Sequence, residues 1–239
     1  MPEDEPILVW MREPRAPRRQ GPGIDLIVGT AVAIADADGL EAVSMRRVAA
    51  DLGSGTASLY RSLTGRDDLI DLMIDRVRGE HALPERTGDW RADLTALAHH
   101  LRATLLRHPW LGPQIAGRPA LGPNSLREQE FALAAAAGLT PDIARVTHIV
   151  DAVGAYIFGA TTRQIAEQRA HRHTGLSEDQ WREAVAPYIR TVLAAGEHPH
   201  LSRRIHQDTD PTPEDTFAFG LTALLDGIAH ANRDAPGRV

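Results

Sequence analysis

Eleven histidines and 32 carboxylates carry the most obvious chemistry in this chain, because it contains no cysteine. Disulfides, thiolate zinc sites and cysteine nucleophiles are therefore excluded, and only histidine and carboxylate remain as metal ligands. The histidines fall in close pairs: His99 with His100, His171 with His173, and His198 with His200. Neighbours one or two apart do not share a helix face, and the useful His-x₃-His spacing has no partner carboxylate motif, so we expect no metal site. Asp36, Asp38 and Glu41 resemble part of a calcium loop, but Gly39 is not at its sixth position, and a helix end explains the cluster. Asp67 and Asp68 sit where a helix dipole accounts for them without catalysis. Gly53-Ser54-Gly55 has no strand before it and no lysine after it, and no Gly-x-Ser-x-Gly elbow occurs. These residues suggest no catalytic group, no cofactor and no enzyme.

All 26 basic residues are arginine, and the formal net charge is −6. Such a balance argues against a protein that coats nucleic acid non-specifically and leaves room for a local basic patch. The arginine bias, with abundant alanine, is consistent with a GC-rich genome, although a planar guanidinium also suits phosphate and guanine. The patch to consider lies in Ser44 to Leu63, SMRRVAADLGSGTASLYRSL. Ser44 is an N-cap residue, Val48, Ala49 and Leu52 recur at helical spacing, and Gly53 suits a positive-φ helix end. Thr56 is the expected cap of a second short helix, with Leu59 and Leu63 facing inward and Ser58, Tyr60 and Arg61 directed elsewhere. That pattern is a helix-turn-helix, whose second helix enters a DNA major groove.

Other elements must hold this stretch in place. Residues 1–23 show no sustained period and form an expected flexible arm, whose Arg12, Arg15, Arg18 and Arg19 either reach a minor groove or are simply solvated. Ile27, Ala31 and Ile34 give a first helix over Ile24 to Asp38, closed at Gly39. Thr64 and Asp67 have capping-box spacing before a helix running to about Glu80, with Leu69, Ile70, Met73 and Val77 on its apolar stripe. Arg66 lies in the first turn, placed to hold a phosphate or to be solvated.

Residues 24–80 resemble the DNA-binding domain of the TetR family of transcriptional repressors. The resemblance is carried by AIADADGLEAVSMRRVAADLGSGTASLYRSLTGRDDLIDLM, with its glycine, small hydroxyl, basic pair, ALG-type turn and LY pair in order. It implies that Ser44, Arg46, Thr56, Ser58, Tyr60 and Arg61 lie at or near double-stranded operator DNA and that Arg66 contacts phosphate. Gly55, Thr56 and Ala57 are small, so base readout would lean on Arg61, Arg46 and DNA shape.

Beyond a linker at His81 to Gly88, residues 89–232 read as a second helical domain. Trp90 begins a helix with Leu94, Leu97, Leu101 and Leu105 on one face, halted by Pro109. Gly112 to Pro123 reads as loop or one short turn, Asn124 as the cap of the next helix, and Thr140-Pro141 as the start of a long one to about Arg172. Ser177 and Gln180 form a capping box for a helix that contains Pro187. Glu197 to Pro211 reads as irregular, and Thr212, Pro213 and Asp215 start the last helix. With no convincing strand alternation, the expected fold is all-α; the family resemblance implies an N-terminal three-helix helix-turn-helix domain plus a C-terminal helical ligand-binding and dimerisation domain. Apolar runs fall far short of a bilayer span, and the charged start is unlike a secretory signal, so the expectation is a cytoplasmic protein without membrane partners.

The second domain is also similar to the tetracycline-repressor type, through its DW start, LLRHP, GRP and FAFGLTALLDGI segments. The resemblance implies a homodimer through a four-helix bundle. Residues Val146, Val150, Val153 and Ile157, with Phe217, Leu221, Leu224, Leu225 and Ile228, have seams that suit it. A small-molecule pocket needs apolar walls with few polar groups, for which the candidates are His100, Thr104, Trp110, Gln114, Phe131, His148, Tyr156 and Trp181. Ile115 stands where the tetracycline repressor has a metal-liganding histidine, which argues against a magnesium-tetracycline effector. The expected protein is a ligand-released, DNA-binding repressor. The alternatives are a same-fold activator or regulator without a small ligand, and an all-α enzyme or scaffolding module.

Overall fold

The computed structural model describes residues 8–11, 22–115, 120–206 and 211–233. The arginines of the expected arm and the GRP segment, together with the side chains of Ile115, His171 and His173, lie outside the described residues. Among the described residues the regular structure is entirely helical. Two compact units divide between Gly154 and Ala155.

In the first unit, a single 3₁₀ turn at Val9–Met11 precedes α1 (Ile24–Asp38), α2 (Met45–Asp51), α3 (Thr56–Leu59) and α4 (Arg66–Arg78). Helix α1 buries Ile27, Val28, Ala31, Val32, Ile34 and Ala35, and it packs on α2 and α4. Gly39 stops it at φ 86°, a backbone region that only glycine enters at little cost. Ser44 caps α2 by accepting the Arg47 backbone N–H, and Gly53 makes the turn at φ 60°. Val48, Leu59 and Leu63 are sealed beneath α2 and α3, which fixes how the pair stands on α1 and α4.

Two caps differ from expectation. Gly55, not Thr56, is the N-cap of α3, and no side chain closes that end. At α4, Gly65 is the N-cap residue, while Asp68 accepts from both the backbone N–H and the hydroxyl of Thr64 at 2.7 Å. Asp67 points out and is exposed, because the four-residue reach inward places Asp68 over Thr64.

The unit continues through α5 (Trp90–Arg107), α6 (Leu111–Ile115) and α7 (Pro123–Ala137), with α7 packed on both α4 and α5. Asp89 caps α5 through the Arg91 and Ala92 amides. Gly122 rather than Asn124 is the N-cap of α7, with Pro123 at its first turn. The expected linker is tied down at its end, since Asp93 accepts from the Thr87 amide and hydroxyl and from the Gly88 amide. Those donors, led by the Thr87 N–H, hold the Asp93 carboxyl below its ordinary range despite its burial.

Helix α8 (Ile143–Thr174) starts in the first unit and ends in the second, which adds α9 (Glu178–Ala194), α10 (Pro199–Ile205) and α11 (Pro213–Arg233). The Ser177/Gln180 capping box is present, and Pro187 lies inside α9. Helix α10 falls in the stretch expected to be irregular; Pro199 in its first turn supplies a preset φ that hydrophobic periodicity does not register. Thr212 and Asp215 cap α11 reciprocally. In α11, Gly220 lies where a Cβ would strike the Tyr156 ring, which explains a glycine inside this helix.

Candidate DNA-binding and effector sites

The exposed face of the helix-turn-helix is built by its turn. Ser58 donates to the Gly55 carbonyl at 2.6 Å and also meets the Ser54 hydroxyl, so its side chain braces the start of α3. Ser44 is half-buried and occupied as a cap, and Thr56 is half-buried. Arg46, Tyr60 and Arg61 are exposed, with Tyr60 at 51%. The neighbouring Arg47 turns back to Asp51 and Asp38, both at 3.1 Å.

Arg66, expected to hold a phosphate or to be solvated, is turned inward in the free chain. Its Nε donates to the Val43 carbonyl and its Nη2 to the Leu40 carbonyl, each at 3.0 Å. Those carbonyls belong to the link between α1 and α2, a 3₁₀ turn at Leu40–Ala42 in which the Leu40 carbonyl also accepts the Val43 backbone N–H, and the half-buried guanidinium is drawn in to them. Arg66 thereby fastens α4 to the helix-turn-helix.

Two polar joints connect the DNA-binding helices to the helices that follow. At the first, Asp75 of α4 is 4% exposed and accepts the amides of Asn124 and Ser125 at 2.9 Å, the Asn124 side-chain N–H at 3.0 Å and the Ser125 hydroxyl at 3.2 Å. A carboxylate on α4 thus caps the N-terminus of α7, where orphan amides and the helix dipole favour negative charge. One turn on, Arg78 pairs with Glu128 of α7. Burial pushes the Glu128 carboxyl up, partly opposed by Arg78. At the second joint, His108 is 3% exposed between Asp36, at 2.8 Å from Nδ1, and Glu80, at 3.0 Å from Nε2. The Trp110 indole N–H donates to the same Asp36 oxygen at 2.7 Å.

Sequence reading missed Asp36, Asp75, Glu80, His108, Asn124 and Ser125 as a connected set. Asp36 was visible only as a helix end and His108 only within LLRHP. Their partners lie from 28 to 74 residues away, beyond any local spacing.

The effector candidates scatter. His100 is half-buried with its Nε2 buried and without a hydrogen-bond partner, and desolvation followed by nearby His81 holds its pKa below the ordinary imidazole value. Thr104 and Phe131 are buried, and Thr104 donates to the His100 carbonyl. Gln114 is half-buried. Trp110 is committed to the Asp36 joint, since a buried indole N–H requires an acceptor. Tyr156 donates its hydroxyl to the Phe217 carbonyl at 2.7 Å. His148 and Trp181 are exposed, Trp181 at 54%, and line no interior wall of the single chain. Among the described residues no cluster of three or more histidine and carboxylate groups could hold a metal.

The expected dimer seams are also placed differently. Val146, Val153, Ile157, Phe217, Leu221 and Leu225 are buried within the single chain, and Val150, Leu224 and Ile228 are half-buried. Their seven-residue rhythm is consumed by the chain's own core. Phe219, by contrast, is 79% exposed.

Helices throughout the described residues, with an exposed helix-turn-helix tied to further helices, mark the class of DNA-binding regulators. A model of the tetracyclin repressor-like C-terminal domain matches residues 83–231. The chain is 41% identical over 228 residues to the HTH-type transcriptional repressor DrrR1 of Streptomyces coeruleorubidus, covering 92% of this chain and 83% of that protein. An HTH-type transcriptional regulator of Saccharopolyspora erythraea is 37% identical over 230 residues, covering 95% and 93%. Apo ActR from Streptomyces coelicolor matches with a TM-score of 0.76 at 26% identity, over 92% of this chain and 100% of that one. ActR in complex with actinorhodin matches at 0.72 and 28%, over 89% and 99%. The chain therefore belongs to the TetR family, whose members are transcriptional regulators and not enzymes. It is a DNA-binding transcriptional repressor of that family.

Proposed function

We propose that this repressor is a cytoplasmic homodimer that reads a two-half-site operator through Arg46, Tyr60 and Arg61 and leaves it when a small molecule enters the helices after Trp90. The exposed cluster on α2 and α3 carries the reading, because two arginines and a tyrosine project beside a turn made small by Gly55, Thr56 and Ala57. Small residues let the backbone approach a groove, while the arginines supply phosphate and base contacts. His100, with Thr104, Phe131 and Gln114, is the favoured effector wall, since a buried, neutral imidazole nitrogen without a partner would orient a polar group on a largely apolar ligand. Actinorhodin, the ligand held by ActR, is the first probe.

Exposure on α8 and α11 supports the dimer. Residues Ile143–Ala170 have the length and apolar composition to cross a membrane, yet only 22% of that window is buried. A second helix pair from another copy would cover such a surface. Phe219, Ala223 and Gly227 are exposed at four-residue spacing on α11, as are Ala155 and Gly159 on α8. We assign the interface to these rather than to the buried seams.

The test is selection of duplexes from a random pool by the purified protein, followed by mobility shift with and without actinorhodin. A selected palindromic duplex that actinorhodin releases supports the reading. A duplex bound equally with and without actinorhodin, or with any other ligand tried, favours the regulator that answers to no small molecule.

A further inference from the structure

We propose that His108 is the positioning residue that holds α1 and the end of α4 at one angle for DNA, acting as a clamp between Asp36 and Glu80. The inference rests on the reading of the chain as a DNA-binding repressor. Carboxylate oxygens only accept hydrogen bonds at neutral pH, so an imidazole that meets two of them with both nitrogens does so fully only when it carries both protons. The ring is nearly inaccessible, whereas the two carboxylates keep about a third of their surface exposed, 33% for Asp36 and 30% for Glu80. The imidazole therefore lies inside and the two carboxylates face out.

Three separate segments converge on this ring. Asp36 comes from the last turn of α1, Glu80 from just beyond α4, and His108 itself from the corner between α5 and α6. Trp110 adds a second donor to Asp36 and stands edge-on to His108, with ring centroids 6.1 Å apart. The other charged groups at the joint are Arg107 of α5, whose Nη1 is 3.8 Å from Glu80, and His81, which contacts Arg107. Because α1 and α4 carry the helix-turn-helix between them, a change at the α5–α6 corner tilts both supports together. Loss of the imidazole would leave the two carboxylates without their shared partner and release both helix ends.

The measurement is affinity for the duplex selected by the wild-type protein. Variants are His108→Gln, Asp36→Asn, Glu80→Gln and the His108→Gln/Asp36→Asn double. Asp36→Asn keeps an acceptor for Trp110. We expect His108→Gln to weaken binding by at least about fivefold, the low end of typical coupling between sites. The double variant should bind no worse than His108→Gln. Equal affinities or additive losses would overturn the clamp. If His108→Gln does not fold, Glu80→Gln, on the exposed side of the joint, carries the same comparison. Failure of the wild-type protein to select any duplex would instead overturn the DNA-binding assignment beneath it.

Discussion

The carboxylate of Asp75, on α4, accepts the backbone N–H of Ser125, at the start of α7, at 2.9 Å. One buried side chain of α4, the helix that follows the helix-turn-helix, thus completes the N-terminus of α7. Asp75→Ala removes four hydrogen-bond donors' partner at once and leaves buried amides unsatisfied. The expected loss of stability is about 2–4 kcal/mol, from a cap and a charged hydrogen bond together. Urea denaturation should show it as a lower midpoint with an unchanged slope.

The same joint makes one glycine costly and another replaceable. A Cβ on Gly122 would run into the Asp75 carboxylate, whereas a Cβ on Gly29, inside α1, would meet only the Arg76 guanidinium at an ordinary 3.6 Å. Gly122→Ala should destabilise by about 1–3 kcal/mol through overpacking. Gly29→Ala should stabilise by up to about 1 kcal/mol through helix propensity. Thermal melts of the two variants should therefore move in opposite directions.

Arg66 and Arg61 should separate in the salt dependence of operator binding. Arg61→Ala should weaken binding and reduce the slope against log salt by about one phosphate contact. Arg66→Ala should lower the melting temperature and weaken binding with the slope nearly intact, because its nitrogens serve the Val43 and Leu40 carbonyls. A full phosphate-contact loss in Arg66→Ala would return that residue to the DNA surface.

Asp93 makes stability fall in acid. Its carboxyl is held below the ordinary range chiefly by the Thr87 N–H, so the folded state binds this proton less readily than the unfolded chain. Its contribution is present above the unfolded carboxylate pKa and disappears as pH drops through the lower folded value. Melting temperatures in a descending pH series should drop less steeply for Asp93→Asn than for wild type. Coincident acid limbs would show that Asp93 does not contribute.

Phe219 tests the proposed dimer face. Exposed on α11 in the single chain, it can accept a charge without disturbing the subunit core. Phe219→Glu should yield a folded monomer by light scattering, with retained helical circular dichroism. A persistent dimer would move the interface elsewhere.

Sequence periodicity and cap chemistry by themselves determined the helical class, the helix-turn-helix at Ser44 to Leu63, the stops at Gly39 and Gly53 and the capping box of α9, because each depends on residues within about one or two turns. The same local logic misassigned caps at Thr56, Asp67 and Asn124, where Gly55, Gly65 with Asp68, and Gly122 stand at the helix starts. Tertiary structure alone decided that Arg66 turns inward, that the apolar seams of α8 and α11 fill the subunit core, and that Asp75 and His108 join the DNA-binding helices to those beyond them. Each of those outcomes depends on which distant carbonyl, amide or carboxylate a folded backbone leaves unsatisfied. A buried polar group must find a partner wherever the fold brings one, and sequence spacing does not record that distance.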